Sequence, residues 1–421
     1  MSDGGLDLAE VRAIRVDGRA AGFPADADTT VGQVGRKGWT LRDLSPPVLL
    51  LRRGAIEHNV RTMAAYCAAN DVDLYPHAKT SMAPQLWALQ LAAGAAGLTV
   101  ATGQQLRVVR SVGGGRILLA NELLDAPTIS WVAAELVDPS FEPACWVDSV
   151  TGVRILADAL ASAGSPRPLP VLVELGHTGG RTGCRSILEA IEVARAVAST
   201  AALRLAGVAG YEGTICSDRS ASCLEAVDAF LDAMRALTTQ LIGRGLVHDD
   251  VLVSAGGSAF FDRVVARLAG GWPDGARIRI ALRAGCTITH DHGVYARLSP
   301  LRDGAALRAA FEGWGAVLSR PEPATLVIGI GKRDLAADLE LPVPLVARSA
   351  SGGDVPLDGT VTVRRLMDQH AICAVDPELS VAPGDLVSFG ISHPCAAFDR
   401  RRVIPVLDDD DRVVDAVATW F

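Results

Sequence analysis

Five short segments of this chain bring together residue types that can do chemistry. They are Pro76-His77-Ala78-Lys79-Thr80, Gly180-Arg181-Thr182-Gly183, Gly210-Tyr211-Glu212-Gly213, Ser254-Ala255-Gly256-Gly257-Ser258 and His393-Pro394-Cys395. Lys79 sits among Ala, Thr and Ser just behind an apolar run. Desolvation there lowers an amine's pKa and makes it nucleophilic, so such a lysine can form a Schiff base with an aldehyde. On local sequence alone, a plain surface lysine is the commoner outcome. The turn Ser254 to Ser258 precedes a helix-like stretch, and its backbone N–H groups can point at a phosphate with the helix dipole behind them. A tight connection without a ligand would show the same pattern. Arg181, in a glycine-rich loop, can hold a phenolate oxygen or a carboxylate, or form an ordinary surface ion pair. Tyr211 can contact a flat ring or simply end its strand as a packed aromatic.

His393 and Cys395 are two residues apart, and in an extended segment they point to the same side. Zn2+ accepts N and S donors, and two protein ligands leave positions for water or substrate. A rival cluster, Thr289-His290-Asp291-His292-Gly293, can also bind a metal, or be a polar turn leaving its domain.

These residues need a frame. Between about residues 45 and 295, β-rich runs alternate with helical patterns such as 56–69 and 224–242. The strand candidates are Val48–Arg52, 72–75, 98–101, 116–120, 144–148, 171–175, 205–209, 251–254 and 277–283. Such alternation means parallel strands with right-handed crossovers. Nine candidates exceed the eight of a closed barrel by one, and Val48–Arg52 is the strand expected to lie elsewhere. Loops that follow barrel strands gather at one face, where four of the five segments fall. After residue 300, runs at 359–366, 386–391, 402–407 and 412–420 read as strands separated by turns. The expected fold class is therefore α/β: a (β/α)8 TIM-like barrel over 45–298, then a mainly antiparallel β domain over 299–421 that carries the metal site. Residues 1–44 show no clear period and are expected to form an arm whose packing the sequence leaves open.

Composition narrows the function classes. The chain has 421 residues, 49% of them hydrophobic and 21% charged, which exceeds one ordinary core and predicts two domains. Its formal net charge is -8 and no Lys/Arg stripe interleaves with aromatics, so no nucleic-acid partner is expected. The start lacks the basic and apolar regions of a leader peptide. The most apolar stretch, 86–101, carries Gln90 and two glycines and is too short for a bilayer, so no membrane association is expected. The eight cysteines are scattered with no C-x-x-C pair, which predicts free buried thiols and a reducing, cytoplasmic location.

Taken together, the five segments resemble the D-serine dehydratase and D-threonine aldolase family, fold-type III pyridoxal-phosphate enzymes related to the N-terminal domain of alanine racemase. They occur in the family's order over roughly residues 45–415. The resemblance implies a barrel and β domain paired as a homodimer acting on a small D-amino acid. Lys79 would carry pyridoxal 5'-phosphate and move the substrate's α-proton. His77 and Gln104 would be cofactor contacts, although Gln105 fits as well as Gln104. Arg181 would lie near the cofactor's phenolic oxygen, Tyr211 near its ring, and Ser254, Gly256, Gly257 and Ser258 around its phosphate. His393 and Cys395 would hold a divalent ion. Family aldolases tend to show His and Asp at this position; a thiolate favours Zn2+ over harder ions and points to the D-serine dehydratase branch. That implies β-elimination from D-serine-like 3-hydroxy D-amino acids, giving a 2-oxo acid and ammonia. The alternatives are a metal-dependent D-threonine aldolase and, more remotely, a non-catalytic cofactor-binding protein. A racemase would need a second base, for which the sequence offers no clear candidate. One departure stands out: Cys286-Thr287 falls where relatives often have tyrosine.

Overall fold

The computed structural model describes residues 4–248, 250–349 and 353–421. Alternation along the barrel strands explains their packing. Ile117, Leu119, Cys145, Val147, Val171 and Val173 face the surrounding helices, while Leu118, Ala144, Trp146 and Leu172 face the barrel interior. Period-2 side-chain geometry demands this split, and it buries both faces of each strand.

The eight parallel strands are Asp73–Leu74, Leu98–Val100, Arg116–Glu122, Glu142–Val147, Leu169–Leu175, Leu203–Gly210, Asp250–Ala255 and Arg277–Leu282. Neighbours in sequence are neighbours in the sheet, and the eighth pairs with the first. Backbone bonds from Ala96 N–H to Leu74 O (2.8 Å) and from Thr99 N–H to Pro76 O (3.0 Å) close the barrel. Five successive crossover helices begin at a residue whose side-chain oxygen accepts a backbone N–H of the first turn: Thr102, Asp125, Ser149, Ser186 and Ser220. Each such cap contributes about 1 kcal/mol and fixes where the chain leaves the barrel mouth.

Val48–Arg52 does lie outside the barrel. It pairs antiparallel with Phe311–Glu322 and parallel with Val403–Leu407 in the second domain. Leu49 and Leu51 enter the main β-domain core, and Val48 and Leu50 enter a separate one. That second core holds Val11, Val16, Phe23, Val31 and Val34, so most of the N-terminal arm packs on the β domain, while Leu6 and Leu8 join the barrel core. The β domain has more strands than the sequence pattern indicates. Phe311–Glu322, Thr325–Ile328, Val343–Arg348, Asp354–Pro356 and Ala371–Val375 were not anticipated. The longest of them contains Gly313, Gly315 and Pro321, which break the alternation from which a strand is recognised.

The cysteine expectation needs one correction. Cys216 and Cys223 form a disulfide, while the other six cysteines are free. No described helix is long and apolar enough to cross a membrane.

Candidate active site

Lys79 stands in a single 3-10 turn, Ala78–Thr80, just beyond the first barrel strand. It lines a cavity of about 270 Å3 at the barrel mouth. That is near the small end of the roughly 300–1,000 Å3 typical of small-molecule sites. Burial is the main cause that lowers the Lys79 amine below the ordinary lysine range; the Cys395 sulfur opposes it, and the Arg181 guanidinium adds to it. His77 shares this wall. Burial, then the charge of Lys79, keeps its imidazole well below the usual histidine range and therefore neutral.

Across the cavity, Arg283 continues the eighth strand and is 6% exposed. It donates to Ser254 Oγ at 2.7 Å and to Gly210 O at 2.8 Å, and its guanidinium lies 5.6 Å from the centre of the Trp146 ring. Glu174 ends the fifth strand in the same wall, and one of its carboxylate oxygens is buried without a partner. Arg181 stacks on Tyr211, with 4.7 Å between guanidinium and ring centre. Its loop is held by Arg185, which donates to the carbonyl oxygens of Gly180, Arg181, Thr182 and Gly183.

The Gly256-Gly257 turn is already engaged. The carboxylate of Glu212, fully buried, accepts the Gly256 N–H at 3.1 Å and the Gly257 N–H at 2.6 Å. Those two donors, expected at a phosphate, are occupied by a carboxylate that satisfies them within the protein. Ser258 remains on the cavity wall; its Oγ accepts the Cys286 N–H at 3.2 Å, which leaves its hydroxyl hydrogen for a ligand.

The third wall belongs to both domains. His393 and Cys395 follow the β-domain strand Leu386–Gly390, and Cys286 follows the eighth barrel strand. Docking brings them together through His292 N–H to Ile391 O at 2.9 Å and Ala310 N–H to Thr289 O at 2.7 Å. The ligand atoms of Cys286, His393 and Cys395 all lie within 4.8 Å of one another. Asp338 accepts from His393 Nδ1 at 2.6 Å. In the Nδ1–H tautomer this leaves Nε2 as a lone-pair donor. Contact with the Cys286 thiol holds Cys395 well below the ordinary thiol range, and the same contact, with burial, pushes Cys286 up.

Of the expected site residues, the cavity gathers His77, Lys79, Arg181, Tyr211, Gly257, Ser258, His393 and Cys395. Ser254 and Gly256 sit behind it, and Ser254 is bonded to Arg283. Gln104 is exposed and outside it. Gln105 turns its oxygen back to the Ala101 N–H at 2.8 Å, so the polar contact on this side is Asn121 instead. The rival cluster does not converge on a metal: Asp291 Oδ1 accepts the N–H groups of Gly293, Tyr295 and Ala296 as a helix cap. Sequence reading missed Cys286 as a partner of Cys395, and it missed Asp338, Asn121, Glu174, Tyr295 and Arg283. Glu174 did leave a signal, as the one charge in the apolar strand Leu169–Leu175, whereas Arg283 is one of three arginines in 277–283 and does not stand out.

A phosphorylated aromatic aldehyde fits this cavity. Lys79 supplies the amine, and Tyr211 a flat face beside Gly257, where a Cβ would come within 2.8 Å of the Tyr211 ring. The buried Nδ1 of His77 lacks a partner that a polar ligand would supply. The Cys286–His393–Cys395 group likewise suits a borderline-soft divalent ion.

Two family models match the chain. One is described as "Alanine racemase, N-terminal domain" and spans residues 51–261, half of the chain; the other, "Putative serine dehydratase domain", spans 310–407. A D-threonine aldolase from Arthrobacter sp is 24% identical over 340 residues, covering 80% of this chain and 82% of that one. The crystal structure of a D-threonine aldolase from Filomicrobium marinum superposes with a TM-score of 0.74 at 25% identity, covering 91% of this chain and 97% of that one. D-threo-3-hydroxyaspartate dehydratase from Delftia sp. HT23 gives a TM-score of 0.70 at 21% identity, covering 90% and 99%.

Proposed function

Because this chain belongs to the family of the alanine racemase N-terminal domain, we propose that it is a pyridoxal-phosphate-dependent lyase of D-amino acids. We further propose that it converts small 3-hydroxy D-amino acids of the D-serine type to a 2-oxo acid and ammonia by β-elimination. One observation carries this reading. Lys79 precedes Thr80, whose Oγ1 lies 3.4 Å from Cys395 Sγ, so a proton-moving amine and a metal-binding thiol share one small cavity. An α-proton and a β-hydroxyl on adjacent carbons need that pairing. The relatives named above, lyases of 3-hydroxy D-amino acids, support the substrate class.

When bound, pyridoxal phosphate supplies an electron sink for the substrate's α-carbon. A divalent ion on His393 and Cys395, with Zn2+ best suited to a thiolate, supplies Lewis acidity toward the β-oxygen. The protein's own part is positioning and proton handling. Burial, with the charges of Arg181 and Arg283, lowers the Lys79 amine below the ordinary lysine range, which suits it to take the proton from Cα. Arg283 is fixed by Ser254 and Gly210 and keeps a positive charge beneath the cavity. Arg181, exposed at the mouth, is placed to meet an anionic group of cofactor or substrate. Asp338 orients His393.

A D-threonine aldolase is the second reading, favoured by the similarity that runs through 80% of this chain. Products from D-threonine decide between them. Formation of 2-oxobutyrate and ammonia is expected; glycine and acetaldehyde would establish the aldolase. With D-serine, pyruvate formation should fall at least about 100-fold after chelation and return with Zn2+. Retained activity in the chelated protein would remove the metal from the reading. The homodimer expected from the family is part of this proposal, and light scattering of the purified protein tests it.

A further inference from the structure

We infer that Cys286 is a third metal ligand, so that this chain holds Zn2+ in a two-cysteine, one-histidine set with one position left for substrate. The inference rests on the metal-dependent reading above and adds a residue from the barrel to the two from the β domain.

Geometry carries it. Cys286 Sγ lies 3.4 Å from Cys395 Sγ, and both sulfurs lie within 4.8 Å of the His393 ring nitrogen. A disulfide needs about 2.05 Å, so these two sulfurs are not bonded. Two sulfurs at about 2.3 Å from one tetrahedral zinc would stand about 3.8 Å apart, a few tenths of an ångström beyond the spacing seen here. Cys286 is 4% exposed and sits on the cavity wall beside Cys395.

The chemistry of the set is specific. Two thiolates and a neutral imidazole balance the ion's charge, which a buried site favours; one thiolate and one imidazole would leave it at +1. Soft sulfur donors select Zn2+ against Mn2+ and Mg2+. Three protein ligands with a fourth position open form the usual arrangement of a catalytic zinc site. His393 is already oriented for it by Asp338.

The test is zinc K-edge absorption spectroscopy on the reduced, zinc-loaded holoenzyme. About two sulfur scatterers at about 2.3 Å and two lighter ones at about 2.0 Å are expected. Cys286→Ser should leave one sulfur. It should also weaken zinc binding, measured against a competing chelator dye, by more than about 100-fold, beyond the roughly 10–100-fold that loss of an outer support gives. The cofactor's absorption band, reporting on Lys79, should persist in that variant and show that the pocket has formed. One sulfur per zinc in the unaltered enzyme overturns the inference, as does unchanged affinity in Cys286→Ser. Either result leaves the proposed function standing if chelation still stops turnover. A protein that takes up no zinc overturns the inference and removes zinc, but not the cofactor-dependent lyase, from the proposed function.

Discussion

On one side of the cavity, Glu174, Tyr211 and Arg283 extend from strand ends of a single parallel sheet, and Lys79 lies one turn beyond another. On the other side, Cys286 comes from the barrel while His393 and Cys395 come from the β domain. The barrel side is positioned by a ladder of backbone bonds within one domain. The seam side is positioned by docking: the backbone bonds from His292 N–H to Ile391 O and from Ala310 N–H to Thr289 O, and the approach of Thr80 Oγ1 to Cys395 Sγ at 3.4 Å. A difference follows in how each side fails. A change on the barrel side removes a function and leaves the geometry intact. A change at the seam loosens geometry first, and metal affinity reports it.

Lys79→Ala should have the largest effect and separates the two sides most sharply. Turnover should fall by about 10^4-fold or more, at or past the upper end for losing a positioned proton-transfer group, with the cofactor's lysine-linked absorption lost as well. Zinc affinity should stay within a few-fold, because the amine is not among the three ligand groups. Activity within tenfold of the unaltered enzyme would show that another group does this work.

Asp338→Asn acts on the seam. It removes the charge that receives His393 Nδ1–H at 2.6 Å while keeping a neutral acceptor. Zinc affinity should weaken by about 10-fold, the lower end for an outer support of a histidine ligand, with the cofactor spectrum unchanged. A titration showing no loss would mean that docking alone orients the imidazole.

The barrel side was also the more legible one. Its strands are apolar runs buried on both faces, and the segment carrying Lys79 follows one of them, so chemistry and frame could be read together. Val48–Arg52 was set aside by counting, and its burial in two β-domain cores explains why it is as apolar as a barrel strand. The seam resisted for a physical reason. Cys286 and Cys395 are 109 residues apart, and their contact depends on docking two domains, which no local period encodes. Asp338 lies in a loop 55 residues from His393 and looks like any exposed acid until the fold is present. The Gly256-Gly257 turn shows a subtler limit: its donors were recognised, but their acceptor, Glu212, sits in a different loop.

The smallest expected effect concerns stability and tests whether the barrel side carries a cost of its own. Glu122 ends the third strand, and its carboxyl is pushed up to about 8, first by burial and then by the neighbouring Glu174 and Asp148. In the unfolded chain the same group ionises near 4.5. Between those values the folded form keeps a proton that the unfolded form has released, so the group's contribution is full below pH 4.5 and is lost as pH rises through about 8. Glu122→Gln holds the group neutral at every pH. Its urea midpoint should therefore decline less between about pH 5 and about pH 9 than that of the unaltered protein. If the two midpoints decline in parallel, the proton is not held at Glu122, and the barrel side has no such cost to set against the docking dependence of the seam.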